Sequence, residues 1–456
     1  MASPSQRLTL ALLLSVLNLS AAPLSLNEAI TLLKEQNLEI KAASLEAKKA
    51  KNDVSISQGY SYGSLDFTQN VIRSNEAGNV FGFKLSSREA TFGDFGAEEF
   101  MNTFTTTGTG DYITPPDRLN YPGYQNFFQS KLAYTVPLYT GGKLSGYEKI
   151  AQEMEKIKQL DTANVTAEKI YQTRKSYYDM ALLDHSIKQL TVIQKNIATL
   201  QTTTQQMIQE GYAKKVDLLE VDAKRANIDR MILEMEGNKK LLFHYISFLL
   251  NQKVTDIAIP TDDRASAAVT EADVMAHNND LKKASHGLEI RSSMVDVAYA
   301  PLLPTVGAFA EASSADNTFL GDFSDHAAYT IGARLSWNLF NGGIDTNTLE
   351  KARIDRLKTS TEVELAKKGV ALQYDKIQTE IESLDYQVSS LEKELELSTQ
   401  ITKSYEGRYH EHLVSMSDLI IKQSAQIEKI ITLQMVKNQR NERIFALEKL
   451  SNGVNQ

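Results

Sequence analysis

The sequence predicts a mainly α chain with a small β component, built as a tandem repeat in which each copy supplies two strands and a long helical hairpin. Three observations carry this. Separated stretches of the 456-residue chain match one another at a fixed offset. Beside each match the hydrophobic period changes from two to about 3.5 residues. Proline, which ends or kinks helices, is missing from the two longest periodic stretches.

The repeat governs everything else, so its register comes first. Tyr134-Thr-Val-Pro-Leu-Tyr-Thr-Gly-Gly142 lines up with Leu335-Ser-Trp-Asn-Leu-Phe-Asn-Gly-Gly343 at an offset of 201 residues. Gly211-Tyr-Ala-Lys-Lys-Val-Asp217 lines up with His412-Leu-Val-Ser-Met-Ser-Asp418 at the same offset, so the segment between the matches has one length in both copies. Upstream, Asn37-Leu-Glu-Ile-Lys-Ala-Ala-Ser44 matches Asn278-Asn-Asp-Leu-Lys-Lys-Ala-Ser285 at an offset of 241, which leaves 40 extra residues in the first copy between about Phe67 and Phe128. The expected boundaries are 23–251 for the first copy, 252–269 for a joining segment with Pro260 and several aspartates, and 270–456 for the second copy.

Residues 1–22 read as a signal peptide. Arg7 precedes an apolar run from Leu8 to Leu19, and Ser20-Ala21-Ala22 offers the small residues a signal peptidase accepts. Twelve apolar-rich residues fall short of the roughly 20 a spanning helix needs, and no later segment reaches that length. An exported chain of this kind meets a membrane with β-strands or not at all. Cysteine is absent, which removes a disulfide framework, a thiolate metal site and a lipoprotein anchor. The net charge of −8 weighs against nucleic-acid partners.

For the strands, Tyr329, Ile331, Ala333, Leu335, Trp337 and Leu339 alternate with Thr330, Gly332, Arg334, Ser336 and Asn338, giving one apolar and one polar face. Phe128, Leu132, Tyr134, Val136 and Leu138 keep the same phase in the first copy. A weaker strand precedes each, Leu65 to Val71 and Thr305 to Ala312, for four strands per chain. Lys131 and Arg334 fall on the polar faces, facing a lumen if the strands close one.

After each Gly-Gly the pattern turns helical. Leu144, Tyr147, Ile150, Met154, Ile157 and Leu160 run at coiled-coil spacing, as do Ile377, Ile381, Leu384, Val388, Leu391 and Leu395. Lys143 to Glu210 predicts one helix of roughly 100 Å, Ala213 to Asn251 a return leg of about 60 Å, and Ser25 to Ser57 an N-terminal helix of roughly 50 Å at the α-helical rise. The two short helices laid end to end match the long one. Their apolar stripes are narrow, as in a hollow helical wall rather than a solid bundle.

Four strands cannot close a barrel, and open strand edges are excluded from lipid, so the chain must oligomerise to insert. The tandem repeat, the strand-Gly-Gly-helix junctions and the two Gly-x5-Asp-Leu-like hairpin turns resemble the TolC family of outer membrane efflux factors over nearly the whole mature chain. That resemblance implies a homotrimer with a twelve-stranded barrel continued by a periplasmic α-barrel in a Gram-negative outer membrane. It further implies a passive duct for efflux or type I secretion, with porin activity, no cofactor and no enzymatic role. Its implied partners are a periplasmic adaptor, or membrane fusion protein, and an inner-membrane transporter of RND, ABC or MFS type, docking at the hairpin turns Gly211, Tyr212, Ala213, His412, Leu413 and Val414. The family also carries a Leu-Pro element before the strand; Leu303-Pro304 fits it and Tyr62-Gly63 does not.

Several residues take candidate roles. Asp217 and Asp418 lie six residues past the turn positions, either as carboxylates around a narrow periplasmic aperture or as caps on the return helices. Glu220 follows Asp217, whereas Ile421 stands at the matching place after Asp418. The family resemblance favours a gate role for Asp418. Gly141, Gly142, Gly342 and Gly343 sit where a strand must swing into a helix. His410 and His412 do not make a metal pair, because side chains two apart on a helix diverge. No catalytic set or phosphate loop is apparent. The competing reading is a periplasmic adaptor or scaffold with coiled-coil hairpins, which would carry one hairpin between small β-domains.

Overall fold

The computed structural model describes residues 23–110, 112–260, 269–411 and 413–452. The expected signal peptide and His412 lie outside the described residues, as do residues 261–268 of the joining segment.

In chain order the helices and strands are α1 (Leu26–Gln36), α2 (Leu38–Gly59), β1 (Ser64–Ser74), α3 (Ala77–Ser86), α4 (Ala97–Thr107), α5 (Asp117–Asn120), β2 (Gln125–Tyr139), α6 (Lys143–Gln209) and α7 (Lys215–Leu250). The remainder is α8 (Glu271–His277), α9 (Asn279–Tyr299), β3 (Thr305–Asp316), β4 (Ala327–Ser336), α10 (Ile344–His410) and α11 (Met416–Leu450). Helices α6 and α10 both contain 67 residues and begin 201 positions apart. Fifty residues separate β1 from β2 and ten separate β3 from β4, which accounts for the 40-residue excess in the first half.

Two compact units emerge. The first holds the described parts of 1–47, 158–284 and 363–456; the second holds 48–157 and 285–362.

The helical unit is held by three apolar clusters. Leu33, Tyr177, Met180, Ile246, Leu249 and Leu250 close one of them, and each such side chain contributes about 1.5–3 kcal/mol on burial. Val274, Ile377, Ile381, Ile444 and Leu447 form a second, and a third occupies the hairpin ends. Between clusters the helices are laced by Lys175 to Glu442 at 2.5 Å, Lys449 to Glu168 at 2.9 Å and Lys169 to Glu39 at 2.6 Å, with Arg174 paired to Glu448. The sequence pattern expects narrow apolar stripes; the ion pairs that flank them come from the packing of the helices.

Two expectations need correction: β4 ends at Ser336 rather than running on to Leu339, and the N-terminal helix is broken. Ser25 to Ser57 is not a single helix: it breaks at Asn37, whose extended backbone ends α1 and whose Oδ1 accepts from the amides of Glu39 and Ile40, starting α2. Asn278 divides α8 from α9 in the same way. An asparagine that satisfies the first free amides of a new helix competes with continuing the old one.

The strand unit is a four-stranded antiparallel meander in the order β1-β2-β3-β4. The outer edges of β1 and β4 have no partner strand among the described residues. Leu65, Phe67 and Val71 of β1, Leu132, Tyr134 and Leu138 of β2, and Tyr329, Ile331 and Leu335 of β4 occupy one face and are exposed. So many large apolar side chains exposed together on one sheet face mark an interaction surface.

Candidate functional site: the sheet faces and the hairpin ends

Register fixes the polar face of the sheet. Thr68 of β1 opposes Lys131 of β2, which opposes Ser313 of β3; one row away Asp66, Ala133, Glu311 and Thr330 line up. Lys131 Nζ lies 2.8 Å from Glu311 Oε2, a diagonal cross-strand pair. Arg334, opposite Gly307, shares this face and lines a concavity with Thr135, Phe309 and Glu311. The Phe309 ring lies across Gly332, where a Cβ would approach its Cζ to 2.6 Å. The structure therefore puts Lys131 and Arg334 on one face and adds Glu311, a partner visible only once strand register is known.

The strand ends are pinned by aromatic polar groups. Tyr134 Oη donates to the Tyr62 carbonyl at 2.7 Å, and Trp337 Nε1 donates to the Leu302 carbonyl at 3.1 Å. Rings that are apolar over most of their surface but carry one polar handle suit a membrane boundary. Gly141 and Gly142 then turn β2 into α6 at φ of 64° and 88°, and Gly342 and Gly343 precede α10 at 70° and 81°. At Gly141 there is also no room: a Cβ would come 2.6 Å from the Ala300 carbonyl oxygen.

Gly63 explains the departure from Leu-Pro in the first half. Its φ is +77°, and a Cβ there would stand 2.0 Å from the Thr135 carbonyl oxygen. Proline, fixed near −65°, cannot take this backbone.

At the hairpin ends of the helical unit, Gly211 (φ 84°) closes the α6–α7 turn, with the amides of Tyr212 and Ala213 donating to the Met207 carbonyl. In the α10–α11 turn the Leu413 amide donates to the Arg408 carbonyl at 2.8 Å. The two ends present matching surfaces. Tyr212 and Leu413 stand 68% and 66% exposed, while Ala213 and Val414 pack against the cluster of Leu200, Val221, Ile228 and Leu419.

The carboxylates at these ends are capping groups. Asp217 Oδ2 accepts from the Lys214 amide at 2.7 Å, and Asp418 Oδ2 accepts from the Ser415 hydroxyl at 2.6 Å and amide at 3.3 Å. The Ser415 hydrogen bonds hold the Asp418 carboxyl below its ordinary value. Glu220 lies half-buried on α7, three residues beyond Asp217. Sequence reasoning missed the neighbouring pair Thr204 and Tyr409, 0% and 4% exposed, whose hydroxyls share a hydrogen bond of 3.3 Å. Burial raises the Tyr409 phenol, and Asp217 adds to the shift. Among the described residues no group of three or more potential metal ligands converges, and no helix is long and apolar enough to cross a membrane.

The fold is TolC-like. Residues 272–453 match the family described as outer membrane efflux protein, which bears out the resemblance drawn from the sequence. Solved structures share the fold. The Campylobacter jejuni CmeC outer membrane channel superposes with a TM-score of 0.76 at 12% identity, covering 94% of this chain and 85% of its own. The Neisseria gonorrhoeae MtrE outer membrane channel, in its open state, gives 0.74 at 13%, covering 94% and 89%. The outer membrane protein VceC from Vibrio cholerae gives 0.74 at 15%, covering 94% and 96%. No curated protein sequence matches the chain. The matched family and similar structures are channel proteins rather than enzymes, as the sequence reading expects.

Proposed function

We propose that this protein is the passive outer-membrane exit duct of a tripartite efflux or type I secretion system. The observation that carries the reading is the meander whose outer edges have no partner strand among the described residues and whose one face exposes nine large apolar side chains. A sheet with free edges is unstable in lipid, and three copies joined edge to edge supply a closed twelve-stranded barrel with the Lys131 and Arg334 face inward.

In this reading the two copies, 23–251 and 270–456, each give two strands and one hairpin, and the helices continue the pore into the periplasm. The hairpin ends, with Tyr212 and Leu413 outward, dock a periplasmic adaptor that couples to an inner-membrane transporter. Asp217, Glu220 and Asp418 lie by the narrow end, where repeated carboxylates favour cations.

The test is to express the chain with its leader in a Gram-negative cell, fractionate the membranes and weigh the detergent-extracted species. The expected result is a trimer of the cleaved chain in the outer membrane. A soluble periplasmic monomer overturns the duct and leaves the adaptor or scaffold reading.

A further inference from the structure

The described residues between β1 and β2 form a folded body rather than a slack loop. Glu76 caps α3 by accepting from the amides of Gly78 and Asn79 at 3.1 and 2.8 Å. Glu99 of α4 accepts from the amides of Asp117 and Arg118, fixing α5 to α4. Lys84 of α3 pairs with Asp94, whose carboxylate also accepts from the Thr91 amide and hydroxyl. Gly96 is suited to its place on two counts, a φ of +82° and a close approach to Pro116, which a Cβ would meet at 2.3 Å.

Where this body sits follows from strand parity. Phe127 is in phase with Gln129, Lys131 and Thr135, so it belongs to the polar face. Phe127 is 6% exposed, and the ring that covers it is Phe83 of α3, stacked with centroids 4.3 Å apart and planes within 12°. Ala315, opposite Gln129 on the same face, is buried as well, and α3 lies against both β2 and β3. Just past α3, Arg88 donates to the carbonyls of Asp325 and Ala327 at the start of β4, and Glu89 accepts from Asn317 Nδ2 at 2.8 Å. The insertion thus spans from β2 across β3 to β4 over the polar face. The ten-residue β3–β4 turn lies to the other side, with Phe319 against Phe128.

We infer that the insertion is an inward collar that narrows the outer mouth of the pore and sets the size of solute that passes; this rests on the duct reading above. A twelve-stranded barrel tilted about 40° is roughly 24 Å across at its backbone. Three helices of about 10 Å diameter, one per protomer, fill a circle of roughly 22 Å. The collar therefore leaves space for small solutes and bars bulky ones unless it moves.

The chain has no cysteine, so one reporter thiol can be placed on the polar face with Ser313→Cys, in the row of Lys131. Intact cells carrying it are treated with a small maleimide and with the same reagent on a bulky polyethylene-glycol chain. The comparison variants delete residues 77–120 or carry Phe83→Ala with Arg88→Ala, the latter keeping the insertion in place. Single-channel conductance in planar bilayers is read in parallel. The expected result is that the bulky reagent labels Ser313→Cys only in the variants, with conductance raised several-fold. Equal labelling by the bulky reagent with and without the collar, or unchanged conductance in a correctly assembled trimer, overturns the collar. Loss of trimer and of small-reagent labelling in every form counts instead against the duct itself.

Discussion

The side-chain amide of Asn37 donates to the backbone carbonyl of Leu249 across 2.8 Å, and Asn278 makes the same bond to Leu450 at 2.9 Å. The two acceptors are 201 residues apart, the offset that relates the hairpins. Each broken N-terminal helix is thus latched to the last turn of the return helix in its own half, satisfying one of the carbonyls that a helix end leaves free.

Asn37→Ala removes the latch and the cap on α2 together in a site only 4% exposed, with an expected cost of about 1–3 kcal/mol. Hydrogen exchange at the amides of Glu39 and Ile40 should then quicken roughly 5- to 150-fold if opening is local. Unchanged protection would show that packing alone holds the junction.

Gly63 is a second strong test. At φ 77° and ψ −165° the backbone is in a region essentially confined to glycine, so alanine there carries a penalty of about 1–3 kcal/mol and also drives a methyl into the Thr135 carbonyl. Gly63→Ala should cut the yield of assembled protein in the outer membrane sharply. Gly59→Ala, in helix with open space around it, should leave yield unchanged or higher. Equal yields from both would refute the argument.

Much of this architecture is legible in sequence because it rests on local periodicity. The Gly-Gly junctions, the starts of α6 and α10 and the phase of β2 and β4 follow from apolar spacing and turn chemistry. The break at Asn37 was not legible: Asn37 headed one of the repeat matches, yet its acceptor lies 212 residues away. β4 was expected to reach Leu339 but ends at Ser336, where Asn338 turns its side chain onto the Phe340 amide. Glu311 and the Thr204–Tyr409 pair need strand register and helix packing, which no single segment encodes.

Arg174 and Glu448 form a largely buried ion pair across the helical unit. Burial, against the pull of Arg174, raises the Glu448 carboxyl above 4.5. A raised acid contributes stability that is complete below its ordinary value and is lost as pH climbs through the raised one. Arg174→Met strands the carboxylate at neutral pH, at an expected cost of about 3–5 kcal/mol. The variant should regain stability as pH falls toward 4.5, read from thermal dissociation of the assembled protein. With Glu448→Gln added, that recovery should vanish; a pH response that survives would place its source elsewhere.

The last prediction separates capping from gating at Asp418. Its carboxyl is lowered by the Ser415 hydroxyl and amide, so it stays ionised above 3.8 and loses its charge only as pH falls further. Stability from the Ser415–Asp418 box is accordingly present above 3.8 and lost below it. Asn at this third helical position keeps an oxygen that can accept from Ser415, without the charge. If Asp418 only caps, Asp418→Asn should leave cation preference in bilayer recordings untouched. If it also lines the aperture, the same variant should lose cation preference at neutral pH while the helix end stays protected from exchange. The wild-type preference should then hold as pH is lowered from neutral to 4 and fall only beneath it, because the box keeps the charge in place. Loss of selectivity in wild type well above pH 4 would assign the gate charge to another group.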